Sequence, residues 1–181
     1  MKEKARIMSK EDIFRSLKRI AHEIIEFNHG VEGLAILGIR RRGVPLGKVI
    51  KEFIDKTENS DVPFGIIDIT LYRDDLSTLS SKPKVNSTEI DFDLNNKLVI
   101  LVDDVLYTGR TTRAALDEIM DYGRPRSIQT AVLIDRGHRE LPIMANFAGK
   151  VIPTKKTEVI EVKTEETDGR WEVLIVEKEK K

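Results

Sequence analysis

The sequence predicts an α/β fold in which a mainly parallel central sheet is flanked by helices. Three observations carry that reading. Short apolar runs, LAILGI at 34–39, LVILV at 98–102 and IQTAVLI at 128–134, have the length of strands and few polar residues. Such strands are buried on both faces, as in a parallel sheet held between helices. Between the runs the apolar spacing switches to that of helices, and alternation of the two patterns marks βα units. The run at 98–102 ends in Asp103 and Asp104, followed by a Thr/Gly-containing turn that opens into a helix. In such sheets the ligand crevice lies beyond the carboxyl ends of the strands.

The elements follow in order. Ser9 is placed to cap a helix with Glu11 and Asp12 in its first turn, where a hydroxyl and negative charge satisfy free N–H groups. Ile13, Phe14, Leu17, Ile20, Ala21, Ile24 and Ile25 recur on one helix face, and Asn28 and Gly30 close it. After the strand at 34–39, RRRG leads into a helical pattern through Val44, Val49, Ile50 and Phe53. FGIIDITL at 64–71 is a second strand. The polar stretch that follows, about 72–92, has no period, and an insertion of roughly twenty residues is more often a functional lid than a connector. Arg110 to Tyr122 forms a helix stopped by Gly123 and Pro125. Strand-like pieces fall at 149–152, 158–162 and 171–176, and a turn at Asp168-Gly169 makes a hairpin of the last two, about 158–176. Trp171, the only tryptophan, reads as core rather than as a stacking platform.

The 181 residues fit a single domain, 1–181. Lys plus Arg and Asp plus Glu both number 31, so the net charge is zero. That removes a globally basic nucleic-acid coat while leaving room for a local basic patch. Without cysteine there is no disulfide, thiolate zinc site or thiol nucleophile. No apolar stretch is long enough to span a bilayer and no signal-peptide core opens the chain, so a cytoplasmic protein is expected.

The chemistry concentrates in the segment from Asp103 to Thr111. Leu106, Tyr107, Thr108, Gly109, Arg110 and Thr111 run into a helix N-terminus, where unpaired N–H groups and the helix dipole favour an anion. Gly109 permits close backbone approach, and threonine hydroxyls add donors, so the turn has the makings of a phosphate site. Two carboxylates just before it suit the vicinal hydroxyls of a ribose, or a metal ion on the same ligand. The plainer alternative is that the two acids end a strand and cap a helix. The segment is neither a Walker loop nor a dinucleotide fingerprint, since G-x-x-x-x-G-K-[ST] and G-x-G-x-x-G are both missing.

VILVDDVLYTGRT, residues 99–111, resembles the phosphoribosyl-pyrophosphate (PRPP) binding motif of type I phosphoribosyltransferases. The likeness narrows to one subgroup through RIAHEII at 19–25, GIRRRG at 38–43, DITLYRDDL at 68–76 and AVLIDRGHRELPI at 131–143. These resemble the PyrR family, pyrimidine operon attenuation regulators that are also uracil phosphoribosyltransferases. The resemblance implies the type I phosphoribosyltransferase fold with a small hood and a long flexible loop. It also implies the reaction of uracil with PRPP to give UMP and pyrophosphate, with Mg²⁺ carried by the substrate pyrophosphate and no protein ligand named for it. By position, Asp103 and Asp104 hold the ribose hydroxyls, Leu106 to Thr111 bind the 5′-phosphate with Val105 also at the substrate, and Arg40, Arg41, Arg42 and Gly43 bind pyrophosphate. On its own RRRG reads as a solvated charge run, and the family position reverses that preference. Asp135 and Arg136 fall where the family binds uracil, with Arg136 the side chain expected to touch the base; His138 is as readily an ordinary surface residue. Arg73, with Lys82 and Lys84, supplies the cations of the loop that closes over substrate, and Arg73 is expected to act in catalysis.

A second activity is implied: uridine-nucleotide-dependent binding to a pyr mRNA leader by a homodimer or larger oligomer. Arg15, Lys18, Arg19 and His22 share a face of the first helix, and Arg139 and Lys150 match further basic positions. A solvated helix face balanced by Glu11, Glu23 and Glu26 is the bland alternative. Phe27 and Met144 depart from the family pattern, where arginine is expected. The competing expectation is therefore a salvage enzyme whose RNA binding is lost or altered.

Overall fold

The computed structural model describes residues 2–69 and 88–177. Its elements are β1 (Lys2–Met8), α1 (Lys10–Asn28), β2 (Leu34–Ile39), α2 (Gly43–Glu58), β3 (Phe64–Ile67), β4 (Leu98–Leu106), α3 (Arg110–Tyr122), β5 (Ser127–Asp135), β6 (Phe147–Val151), β7 (Glu158–Lys163), α4 (Glu165–Asp168) and β8 (Glu172–Glu177). Five strands form a sheet in the order β3-β2-β4-β5-β6, with every neighbouring pair parallel. The sequence-predicted α/β class and parallel sheet are what the chain forms.

Alternation along the strands explains the layers. Leu34, Ile36, Ile100 and Val102 join a core with Ile13, Leu17, Ile20 and Ile24 of α1 and Leu46, Ile50 and Ile54 of α2. Leu37, Ile39, Val99 and Leu101 point the other way, into a core with Ala114, Ala115 and Ile119 of α3. Both faces of β2 and β4 are thus buried, which is why their sequences are continuously apolar. The start of α1 is fixed as expected: Asp12 N–H donates to Ser9 Oγ at 3.3 Å and Ser9 N–H donates to Asp12 Oδ2 at 3.0 Å. Its end is a left-handed residue at His29 followed by Gly30.

A second, antiparallel sheet, in the order β1-β8-β7, forms a small hood. Met8, Ile160, Val162 and Val173 tie it to the α1/α2 core. Trp171 meets Phe14 edge to face, centroids 5.2 Å apart, so it is a packing residue. Four details differ from the sequence reading. β1 was not anticipated, because KEKARI offers a single large apolar residue before Met8. β4 continues through Asp103 and Asp104 to Leu106, paired with β5 throughout. β3 stops at Ile67, and Ile66 within it forms an antiparallel bridge with Glu89. The turn between β7 and β8 is a single helical turn, α4, closed by Gly169 at φ 71°.

Candidate active site

The chain order places a crevice. From β2 the chain runs to β3 on one side and then returns to β4 on the other, so the topological switch point lies between β2 and β4, where open α/β sheets bind ligands. The loop 40–43 leaves β2 there, the Asp103–Thr111 segment occupies the carboxyl end of β4, and 135–139 leaves the neighbouring β5. Parallel pairing puts all three on one edge of the sheet.

The Arg40–Gly43 loop is pressed against β4. A β-carbon on Gly43 would lie 2.3 Å from the Val102 carbonyl oxygen and 3.3 Å from the Asp103 α-carbon. Only glycine lets α2 begin this close to the acidic pair. Arg40 N–H donates to the Ile67 carbonyl at 2.8 Å, and its guanidinium pairs with Glu89 at 2.7 Å. Arg41 is exposed, and the Arg40–Arg41 peptide is cis. Arg42 pairs with Asp168 of the hood at 3.0 Å. The Asp168 partner was missed in the sequence, where that residue read only as part of a turn.

At the end of β4, Asp103 is buried and Asp104 half-buried. Asp104 N–H donates to Asp103 Oδ1 at 2.9 Å and Val105 N–H to Asp104 Oδ1 at 2.8 Å, which fixes both carboxylates by the backbone itself. Burial pushes the Asp104 carboxyl above its ordinary value, with the Asp103 hydrogen bond and the charge of Arg42 pulling the other way. Gly109 caps α3 at φ 93°, and a β-carbon there would come within 3.3 Å of Ile143. The Thr108 carbonyl accepts Glu140 N–H at 3.0 Å and Leu141 N–H at 3.1 Å, while Arg110 pairs with Glu140 at 2.9 Å. The turn is therefore braced from behind. The N–H groups of the first turn of α3 have no acceptor within the helix, the condition for holding an anion.

Beyond β5, Asp135 accepts Gly137 N–H at 3.0 Å and pairs with Arg139. Burial alone would raise the Asp135 carboxyl, but the Arg139 guanidinium and the Gly137 N–H outweigh it and hold the group below its ordinary value. Arg139 also donates to the Tyr107 carbonyl at 2.8 Å and the Ile143 carbonyl at 2.9 Å, stitching the β4 and β5 loops together. Arg136 is buried: it donates to Thr154 Oγ1 at 3.1 Å and the Glu158 carbonyl at 2.7 Å, with its guanidinium 4.0 Å from the centre of the Tyr107 ring. The side chain expected to touch a base thus also fastens the sheet to the hood. His138 is likewise engaged, its Nε2 2.6 Å from the Thr154 carbonyl.

The basic positions divide. Arg15, Lys18, Arg19 and His22 are exposed on α1. Arg19 reaches across to the Ala148 and Gly149 carbonyls at 3.2 and 2.6 Å, which sets Lys150 of β6 beside that row. Arg139 lies with the loops at the sheet's carboxyl edge instead. Phe27 is 62% and Met144 79% exposed, and Phe27 rests edge-on against Phe147. Arg73, Lys82 and Lys84 lie outside the described residues. Among the described residues, no group of three or more histidine, aspartate or glutamate side chains is arranged to hold a metal ion, and no helix is long and apolar enough to cross a membrane.

The phosphoribosyl transferase domain family matches residues 5–166. A hypoxanthine phosphoribosyltransferase of Trypanosoma cruzi superposes with a TM-score of 0.74 over 96% of this chain and 95% of that one, at 17% identity. A hypoxanthine-guanine phosphoribosyltransferase of Bacillus anthracis gives 0.71 over 96% and 98%, at 18% identity. The fold is that of a phosphoribosyltransferase. The bifunctional protein PyrR of Thermus aquaticus is 56% identical over 179 residues, 99% of each chain, and that of Acetivibrio thermocellus 60% identical over 169 residues, 93% and 92%. The chain belongs to the PyrR family.

Proposed function

We propose that the protein transfers the phosphoribosyl group of PRPP to uracil, giving UMP and pyrophosphate, and regulates transcription of a pyrimidine operon by uridine-nucleotide-dependent binding to its mRNA leader. The observation that carries the enzymatic half is the junction at Gly43, where the arginine loop and the acidic pair meet at the switch point with a braced helix N-terminus beside them.

Asp103 and Asp104 hold the two ribose hydroxyls, leaving the 5′-phosphate to the N–H groups and hydroxyls of Leu106–Thr111 and the pyrophosphate to Arg40, Arg41, Arg42 and the backbone at Gly43. Displacement at the ribosyl carbon passes through an oxocarbenium-like state, so the work of the site is positioning and stabilisation of the departing charge. PRPP enters as its magnesium complex; the hard oxygens of Asp103 and Asp104 suit that ion, which adds charge neutralisation on the leaving group. With the Arg136 guanidinium engaged in the hood, uracil recognition falls to backbone groups around Asp135–Gly137. Arg73 is assigned to closure over the substrates from its sequence position alone. Arg15, Lys18, Arg19, His22 and Lys150 supply the phosphate contacts of the regulatory half, which a two-fold homodimer doubles. A cytoplasmic site of action follows from both substrate and mRNA.

Exposed Phe27 and Met144 favour one competing reading, a salvage enzyme with RNA binding lost. Transfer is tested with labelled uracil, hypoxanthine, guanine and orotate: UMP alone is expected, and transfer to a purine or orotate overturns the substrate. A gel shift on the organism's own pyrimidine leader, with and without UMP, decides the second half. UMP-enhanced binding is expected, and no shift at low salt leaves only the enzyme.

A further inference from the structure

The hood supplies no group to the chemistry just described, yet one of its carboxylates reaches the pyrophosphate loop. Asp168 closes α4, 126 residues from Arg42. Arg42 Nη2 donates to Asp168 Oδ1 at 3.0 Å and Nε to Oδ2 at 3.3 Å, a two-pronged pair. The carboxylate is itself anchored, since Thr164 N–H donates to Oδ2 at 3.0 Å and Asp168 N–H returns to the Thr164 carbonyl at 2.7 Å. Asp168 is 19% exposed.

A neighbouring pair shows what an incidental contact looks like. Lys48 and Glu166 join the same two elements at 3.2 Å, but both are about half exposed, and such pairs hold little in place. The Arg42–Asp168 fork is different in kind, because two parallel bonds fix the plane of the guanidinium. Arg42 is a long side chain at the N-cap of α2 and would otherwise have to be immobilised when it grips a ligand. Asp168 occupies the Nε and Nη2 edge, and the charge of Asp104 also acts on the guanidinium.

We infer that Asp168 is a positioning residue that preorganises the Arg42 guanidinium for the diphosphate of PRPP, so that the hood takes part in the pyrophosphate site. This rests on the proposed phosphoribosyl transfer and assigns a further residue to it. The test is Asp168→Asn in the full-length protein, since asparagine keeps the shape and can still accept the Thr164 N–H. Magnesium PRPP, pyrophosphate and UMP are titrated by calorimetry and steady-state inhibition, beside Glu166→Gln as a control from the same turn. In Asp168→Asn the PRPP KM and the pyrophosphate inhibition constant rise about tenfold, as for a lost charge-assisted bond. UMP, which has no diphosphate, binds unchanged, and Glu166→Gln behaves as wild type. Adding Asp168→Asn to Arg42→Ala causes no further loss. Unchanged diphosphate affinity, an equal loss for UMP, or additive effects in the double variant would each overturn the inference. A wild-type protein that binds neither PRPP nor UMP would instead remove the proposed function and this inference with it.

Discussion

Replacing Gly43 with alanine probes the junction on which the site depends. The new methyl carbon would lie 2.3 Å from the Val102 carbonyl oxygen, about 1 Å inside the 3.4 Å at which ordinary contact begins. What it meets is the backbone of β4, which pairs on both sides and cannot swing away as a side chain does. The loop must therefore move, by about 1 Å, away from Asp103. Misplacement of that size costs roughly 100-fold when catalysis rests on positioning. Overpacking of this kind costs about 1–3 kcal/mol, which lowers Tm by roughly 2–4 °C for each kcal/mol in a chain of this length. The assay is kcat/KM for magnesium PRPP at saturating uracil, with a thermal melt of the same preparation. A variant with wild-type kcat/KM would show that the arginine loop and the acidic pair do not form one site, and the reasoning from the close approach would fail.

Other perturbations separate function from stability. Asp104→Asn alone should impair transfer yet stabilise the ligand-free protein at pH 7. The folded pKa of Asp104 is raised, so its ionised form costs stability as pH climbs through that value; the variant's advantage in thermal melts should widen from acidic to neutral pH, by about 2–4 °C per kcal/mol. Arg136→Met removes the bonds to Thr154 and Glu158 and the stack on Tyr107; melting should detect a loss of about 1–3 kcal/mol, and an unaltered Tm would show that Arg136 does not fasten the hood. In Arg15→Ala/Arg19→Ala/His22→Ala, transfer should persist while the slope of log affinity for RNA against log salt falls by about 2. A gel-shift series at several salt concentrations reads this, and an unchanged slope places RNA elsewhere.

What was legible in the sequence follows from how local its causes are. β2, β4 and β5 could be read because both faces are buried, and α1 because Ser9 and Asp12 cap each other within one turn. The Asp103–Thr111 segment was legible for the same reason: strand, acids, glycine and helix start are contiguous. β1 escaped because its order comes from pairing with β8 at the far end of the chain, not from its own composition. The partners of Arg42, Arg136 and Arg139 were equally out of reach. Nothing near Arg42 in sequence points to Asp168, and the engagement of Arg136 depends on the turn of backbone at Thr154–Glu158. A charged residue at a strand's end suggests a ligand-binding group, and only the fold shows which of the protein's own carbonyls it also binds.

The central claim is that the acidic pair at the end of β4 is the ribose site of a uracil phosphoribosyltransferase. Its most direct test is UMP formation by Asp103→Asn/Asp104→Asn beside the wild-type protein, with circular dichroism to show that the fold is kept. The account predicts measurable transfer by the wild type and none above background by a folded double variant. Transfer at the wild-type rate by that variant would contradict it.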